Sequence, residues 1–360
     1  MSQLFSTALS RLVVDRALPL MDTRLKGSTT PYDGTPAMIP HADSRWSVVH
    51  YGVFVPLLPD PYRYLNTMTV IGTTDTEIFD NEQLEAPDRR NTTTVFSSTA
   101  HDDQHFYTAY DASTDTTFAV DGSHLQWSDA LTIDVDGDTA HVVGKYPTFT
   151  VDIRLTITDQ TSYFVRTPVY DHLSLLAPYS GTVTDARGIT EISGLGTFEY
   201  ARASTPQSVF RPLVDIQWKL PADFFTYQII EIDDRTQILL TSVSARGRNA
   251  CLLVHVRVLG DETSVLDDVR FEVVEYGEPQ VDPWRRSMRV PARIRWTARD
   301  TDGEVLQLEA ECDSPWRFGL GRGYVGAYSY QGRFRGSDIT GSGYIEWADV
   351  QDAPKHVWAG

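Results

Sequence analysis

A ten-residue pattern that occurs twice constrains the fold of this chain more than any other feature. Ile192-Ser193-Gly194-Leu195-Gly196-Thr197-Phe198-Glu199-Tyr200-Ala201 and Ile339-Thr340-Gly341-Ser342-Gly343-Tyr344-Ile345-Glu346-Trp347-Ala348 both fit Ile-x-Gly-x-Gly-x-x-Glu-aromatic-Ala. Upstream, Tyr179-Ser180-Gly181 and Tyr330-Gln331-Gly332 extend the match across hairpins of different length. A spacing of about 150 residues is too long for a solenoid and signals duplication of a whole domain. Each copy reads as a domain's closing hairpin. Its glycines are expected to permit bends and close backbone contact rather than to cradle a ligand. With the second copy closing the chain, the first ends near Ala203, and Ser204-Thr205-Pro206-Gln207 through Pro212 has a linker's composition. The expected domains are 1–205 and 213–360, the first carrying a short N-terminal helix.

Between these landmarks the dominant period is two. Val151-Asp152-Ile153-Arg154-Leu155-Thr156-Ile157 alternates as a half-buried antiparallel strand does. Similar runs cover 67–71, 237–242, 251–259, 269–275, 290–297 and 305–311. Asp121-Gly122, Asp136-Gly137, Arg187-Gly188 and Asp302-Gly303 supply turns between runs. Short strands with glycine turns indicate an all-β sandwich or barrel. Only the first 25 or so residues show helical spacing.

Composition narrows the function. A net charge of −18 opposes nucleic acid unless a local basic stripe overrides it. The one basic cluster, Arg285, Arg286, Arg289, Arg293 and Arg295, alternates with apolar residues and reads as the solvent face of a strand. No run reaches the roughly 18 apolar residues of a membrane span, and the N-terminus lacks a signal peptide's apolar core. A cytoplasmic protein without an integral membrane segment is therefore expected. Cys251 and Cys312 fall in the same half and could pair, but they read more simply as buried thiols.

No nucleophile elbow and no metal-binding His-Glu-x-x-His motif occurs, and no histidine pair has metal-ligand spacing, so neither metal nor cofactor is expected. Asp134, Asp136 and Asp138 make a polar hairpin tip rather than a calcium loop, and Gly321, Gly323 and Gly326 lack the helix of a dinucleotide site. His50 shares an expected strand face with Trp46, and His172 follows Asp171 before an apolar run. Glu199 and Glu346 alternate with aromatic neighbours. If those aromatics pack outside the barrel, the glutamates point into the lumen, where desolvation would raise their pKa and fit them as general acids. If the aromatics line the lumen, the glutamates are exposed and inert.

The segments from Tyr179 to Ala201 and from Tyr330 to Glu346 resemble the closing motifs of carotenoid 1,2-hydratase and its AttH-like relatives. The resemblance implies two tandem lipocalin-like (calycin) antiparallel barrels and a large apolar polyene or lipid as ligand, as in related tocopherol cyclases and fungal Diels–Alderases. In the hydratases the first closing strand reads Gly-Leu-x-Trp-x-Asp. Here Thr197 stands at the Trp position and Glu199 at the Asp position, so only Glu199 carries over as the implied proton donor. His50-Tyr51-Gly52-Val53 with Pro56-Leu57-Leu58-Pro59-Asp60-Pro61, Val70-Ile71-Gly72-Thr73 and Ile78-Phe79-Asp80-Asn81 is similar to a bacterial family known only as a domain of unknown function.

The resulting expectation is a monomer or homodimer that binds a terpenoid, polyene or acyl lipid and performs cofactor-free, proton-initiated hydration, isomerisation or cyclisation. Glu199, His172, Asp171 and His50 are the expected acid–base groups. Trp46, Tyr51, Trp218, Tyr200, Tyr344 and Glu346 are the expected binding residues. The competing expectations are a non-catalytic hydrophobic-ligand carrier and a degenerate scaffold with a filled core and no ligand.

Overall fold

Two antiparallel meanders account for nearly all of the secondary structure, and in each the last strand returns to pair with the first. The computed structural model describes residues 11–40, 45–74, 76–79, 85–88, 91–208 and 222–351. In the first unit, Gly188–Ala203 closes against Val48–Val55, Cα partners including Gly52 with Glu199 and His50 with Ala201. In the second, Ser337–Asp349 closes against Ala222–Glu231, where Tyr227 faces Glu346 and Phe225 faces Ala348. Both units are nearly closed barrels, as expected of tandem lipocalin-like folds. The helical part is short, Val13–Ala17, Leu18–Met21 and Arg24–Ser28.

The repeated glycines have a steric explanation. Gly181 and Gly332 sit where the penultimate strand crosses its neighbour, and a Cβ would lie 2.1 Å from the Asp152 carbonyl oxygen or 2.0 Å from that of Gln307. Gly194 pairs with Tyr179 and Gly341 with Tyr330, so each glycine lies under the repeat's tyrosine. Only a residue without a side chain lets these layers approach so closely.

The lumens are filled with side chains rather than open. Tyr51, Val53, Phe198 and Tyr200 join Trp127 and the aliphatic face of Phe149–Thr156 in the first core. Trp296, Trp347 and Phe224 anchor the second. The buried indole N–H groups are satisfied, Trp127 donating to Thr93 Oγ1 (2.8 Å) and Trp296 to Gln228 Oε1 (3.1 Å). The repeat's aromatics thus face the lumens, yet neither glutamate is exposed. Glu199 is 1 % and Glu346 3 % accessible. This outcome differs from both expected phases, because the outer face of each closing strand is covered by the other barrel.

That contact is a second core. Phe54, Tyr64, Met68, Phe96 and Phe164 of the first unit pack within the second unit's hydrophobic cluster. The Tyr344 ring lies 5.4 Å from Phe54 and 5.3 Å from Tyr64, centroid to centroid. Arg63 reaches Asp313 (2.6 Å) and Arg317 donates to the His101 carbonyl (2.6 Å), tying the rim across the seam. Of the basic cluster only Arg293 and Arg295 lie on a strand's solvent face, paired with Glu275 (2.7 Å) and Glu309 (2.8 Å); Arg285, Arg286 and Arg289 precede the strand at Pro291–Asp300, and Arg286 and Arg289 turn to Asp282 (2.5 Å) and Asp349 (2.6 Å). Cys251 and Cys312 are free thiols.

Glu231, where the second barrel meets the first, accepts the Leu195 backbone N–H (3.3 Å), and burial pushes its carboxyl up from 4.5 to about 7. A carboxyl whose pKa is raised by folding favours the folded state below its unfolded value, and that advantage disappears as pH rises through the folded one. From about pH 5 to 8 the wild type should lose about 1–2 kcal/mol relative to Glu231→Gln, after allowance for partial solvent screening. Urea midpoints of the two proteins at both pH values measure it; a constant difference would refute the assignment.

Candidate active site

Glu199 is the centre of a polar cluster in the apolar seam. Its strand places it directly between Gly52 and Ser174, its two Cα partners, and Ala201, two residues on, lies between His50 and His172. Side chains two apart on a strand share a face. His50, His172 and Glu199 therefore converge, and one potential ligand atom from each lies within 4.8 Å of the others.

Each member is oriented by a named contact. The Tyr227 hydroxyl crosses from the second barrel and donates to Glu199 Oε1 at 2.5 Å. His172 Nε2 stands 3.5 Å from Glu199 Oε2. His50 Nδ1 lies 2.7 Å from the Thr69 carbonyl oxygen, and since a carbonyl only accepts, that nitrogen carries the proton and Nε2 presents a lone pair. Gly52 keeps the space between them open. A Cβ there would be 2.9 Å from His50 Nε2 and 2.5 Å from the Phe54 ring. In the second barrel the positions matching His50 and Gly52 are Phe225 and Tyr227, so the duplication supplies only one such cluster.

The surroundings set the electrostatics. Burial, and then the neighbouring His172, lower His50 to about 4, which keeps it neutral at pH 7. Burial and the nearby Glu199 carboxylate push Glu346 well above the usual carboxylate range, and its Oε1 accepts the Tyr344 hydroxyl at 2.9 Å. Burial thus favours the protonated form of Glu346. The fully buried Arg257 donates to the Ser174 carbonyl (3.1 Å) and Oγ (3.2 Å) and to Gln237 Oε1. Burial lowers its pKa to about 10, opposed by the charges of Tyr227 and Glu199. Phe164 packs its ring 4.8 Å from His172 and 5.0 Å from Tyr227. Glu199 is sealed in, whereas His50 and His172 are half-buried and reach the edge of the seam.

Of the residues expected from the sequence, the structure brings together His50, His172, Glu199, Tyr344 and Glu346. Asp171 points to the opposite face of its strand and pairs with Arg202 (3.0 Å). Tyr51 and Tyr200 lie inside the first lumen, their hydroxyls donating to the Met38 and Ile39 carbonyls. Trp46 precedes the strand that begins at Val48, and the Arg45 and Arg202 guanidinium groups cover its ring at 4.9 and 4.4 Å. Trp218 lies outside the described residues. Sequence reasoning missed Tyr227, Arg257, Ser174 and Phe164. A depression of about 370 Å³ lined by Asp268, Arg270, Glu272, Arg295, Thr297 and Arg299 belongs to a charged strand surface and contributes nothing to this cluster.

Removal of Arg257 leaves Ser174 and Gln237 with buried unpaired acceptors and takes a positive charge from the neighbourhood of Glu199. Arg257→Met should therefore destabilise the fold by about 2–4 kcal/mol. Equilibrium urea unfolding reads this directly, and an unchanged midpoint would show that the buried cation is dispensable.

Comparison with known proteins places this architecture. Residues 68–359 match the model of a family of unknown function, DUF6670. No curated protein matches by sequence. Among solved structures, an AttH-type protein from Nitrosomonas europaea superposes with a TM-score of 0.60 at 12% identity, covering 86% of this chain and 95% of that one. Kievitone hydratase from Nectria haematococca gives 0.56 at 13% identity, with 90% and 96% covered. CghA, solved with Sch210972, gives 0.52 at 13% identity, with 91% and 97% covered. At these identities the shared property is the fold. Among the described residues no helix is long and apolar enough to cross a membrane.

Proposed function

The chain belongs to the DUF6670 family of unknown function, and we propose that it is an acid–base enzyme acting on a largely apolar small molecule at the edge of the interdomain seam. The observation that carries this reading is the chain of contacts from Tyr227 through the sealed Glu199 to the half-buried His172. A buried carboxylate beside an imidazole that reaches the surface is the arrangement by which a proton is held, oriented and delivered. His172 is the group that meets the substrate; Glu199 and Tyr227 position it. His50, neutral and with a free lone pair at Nε2, accepts a hydrogen bond from a substrate hydroxyl or a water.

In this scheme His172 transfers a ring proton to a carbon–carbon double bond. The resulting cation is resolved in one of three ways: by water, which adds and loses a proton to give hydration; by loss of a proton from an adjacent carbon, which gives isomerisation; or by a second double bond, which closes a ring and moves the cation to a carbon that then loses a proton, giving cyclisation. In each case a proton returns to the His172–Glu199 pair. The filled lumens direct the ligand to the seam. Its apolar character is supported by the aromatic lining of Phe164 and Tyr170, by exposed Val169 beside Tyr170, and by Leu20, Met21 and Leu25 left exposed on the N-terminal helices. The hydratase name of one structural neighbour agrees with this class.

The test begins with native mass spectrometry of the protein purified from a lipid-rich bacterial host, followed by extraction of what is bound. A co-purifying isoprenoid or acyl lipid, converted by fresh protein to an isomer or a water adduct, is the expected result. Glu199→Gln should lower that turnover by about 100-fold or more while leaving binding intact, and Tyr227→Phe by about 10-fold. Binding without any conversion would make the protein a carrier, and undiminished turnover in Glu199→Gln would remove the glutamate from the mechanism.

A further inference from the structure

The two imidazoles and the carboxylate also form a donor set that proton transfer alone does not require. We propose that His50 Nε2, His172 Nε2 and Glu199 Oε2 form a binding site for one divalent transition-metal ion of the Zn²⁺ class. Two nitrogens and one oxygen suit that class, and three protein ligands leave an open coordination position. One ligand atom of each residue lies within 4.8 Å of the others, and His172 Nε2 to Glu199 Oε2 is 3.5 Å. Bonds of about 2.0–2.1 Å in a tetrahedron need donors about 3.3 Å apart, so that pair already fits, and a bound ion would draw the remaining donors together.

Three independent observations point to an ion rather than to a coincidence of polar groups. First, the outer contacts are those that metal ligands need. His50 Nδ1–H is anchored on the Thr69 carbonyl, which fixes Nε2 as the donor, and the Tyr227 hydroxyl holds Glu199 Oε1, which leaves Oε2 for the ion. Second, His172 Nε2 is buried without a hydrogen-bond partner among the described residues, a cost that an ion would remove. Third, Gly52 withholds the Cβ that would crowd His50 Nε2, on the strand position directly opposite Glu199.

Metal binding stands on this geometry alone. One consequence rests on the acid–base reading above: an ion held by His172 and Glu199 takes both out of proton transfer, so Zn²⁺ inhibits that reaction reversibly.

Titration of the full chain with Co²⁺, read by visible d–d absorption, tests the site. One equivalent should give a tetrahedral or five-coordinate spectrum that Zn²⁺ abolishes by competition. His50→Ala and His172→Gln, checked by circular dichroism for folding, should each weaken Co²⁺ binding by about 100-fold, and Tyr227→Phe by about 10-fold. X-ray absorption of the Zn²⁺-loaded wild type, which needs no variant to fold, should show two imidazole nitrogens and oxygen in the first shell. Absence of a stoichiometric Co²⁺ spectrum, a spectrum unaltered in both histidine variants, or sulfur in the Zn²⁺ shell would overturn the proposal. If the ion binds but leaves turnover of the extracted ligand unchanged, metal binding stands and the acid–base role of the same side chains falls.

Discussion

A carboxylate withdrawn from water must find its hydration replaced, and in this protein the replacement comes from both halves of the duplicated chain. Glu199 grows from the closing strand of the first barrel, but the hydroxyl that satisfies it belongs to Tyr227 of the second, and the charge of Arg257 arrives from the same side. The seam therefore cannot be a purely apolar contact. Its aromatic packing around Phe54, Tyr64 and Tyr344 supplies the burial, and the polar cluster fixes the register in which the barrels meet. Site and assembly are consequences of one constraint.

The division between the two repeated glutamates follows from the same economy. Glu199 receives the Tyr227 hydroxyl from the other barrel and has Arg257 nearby. Among the described residues Glu346 accepts from Tyr344, two residues away on its own strand, and burial pushes its carboxyl well above the usual carboxylate range.

Much of this was legible in the sequence. The glycine-marked repeat shows duplication because glycine is needed wherever strands cross closely, and Gly181 and Gly332 meet that need at equivalent crossings. Alternation at 151–157 and its counterparts identifies strands because one side of each faces a core. His50, His172 and Glu199 were recognisable as polar side chains among apolar neighbours. The direction of Glu199 was not, since alternation separates two faces without saying what covers the outer one, and here a second barrel does. Asp171 illustrates a different failure: next to His172 on one strand, it is bound to point the other way. Tyr227 and Arg257 read as ordinary members of buried strands, and nothing local marks a residue whose partner lies in the other domain.

The hydroxyl that crosses the seam makes the two halves non-interchangeable. The first has Gly52 at the strand position where the second has Tyr227, and the carboxyl that meets the Tyr227 hydroxyl belongs to the first. A chimera in which either half is replaced by its twin would lose the cluster.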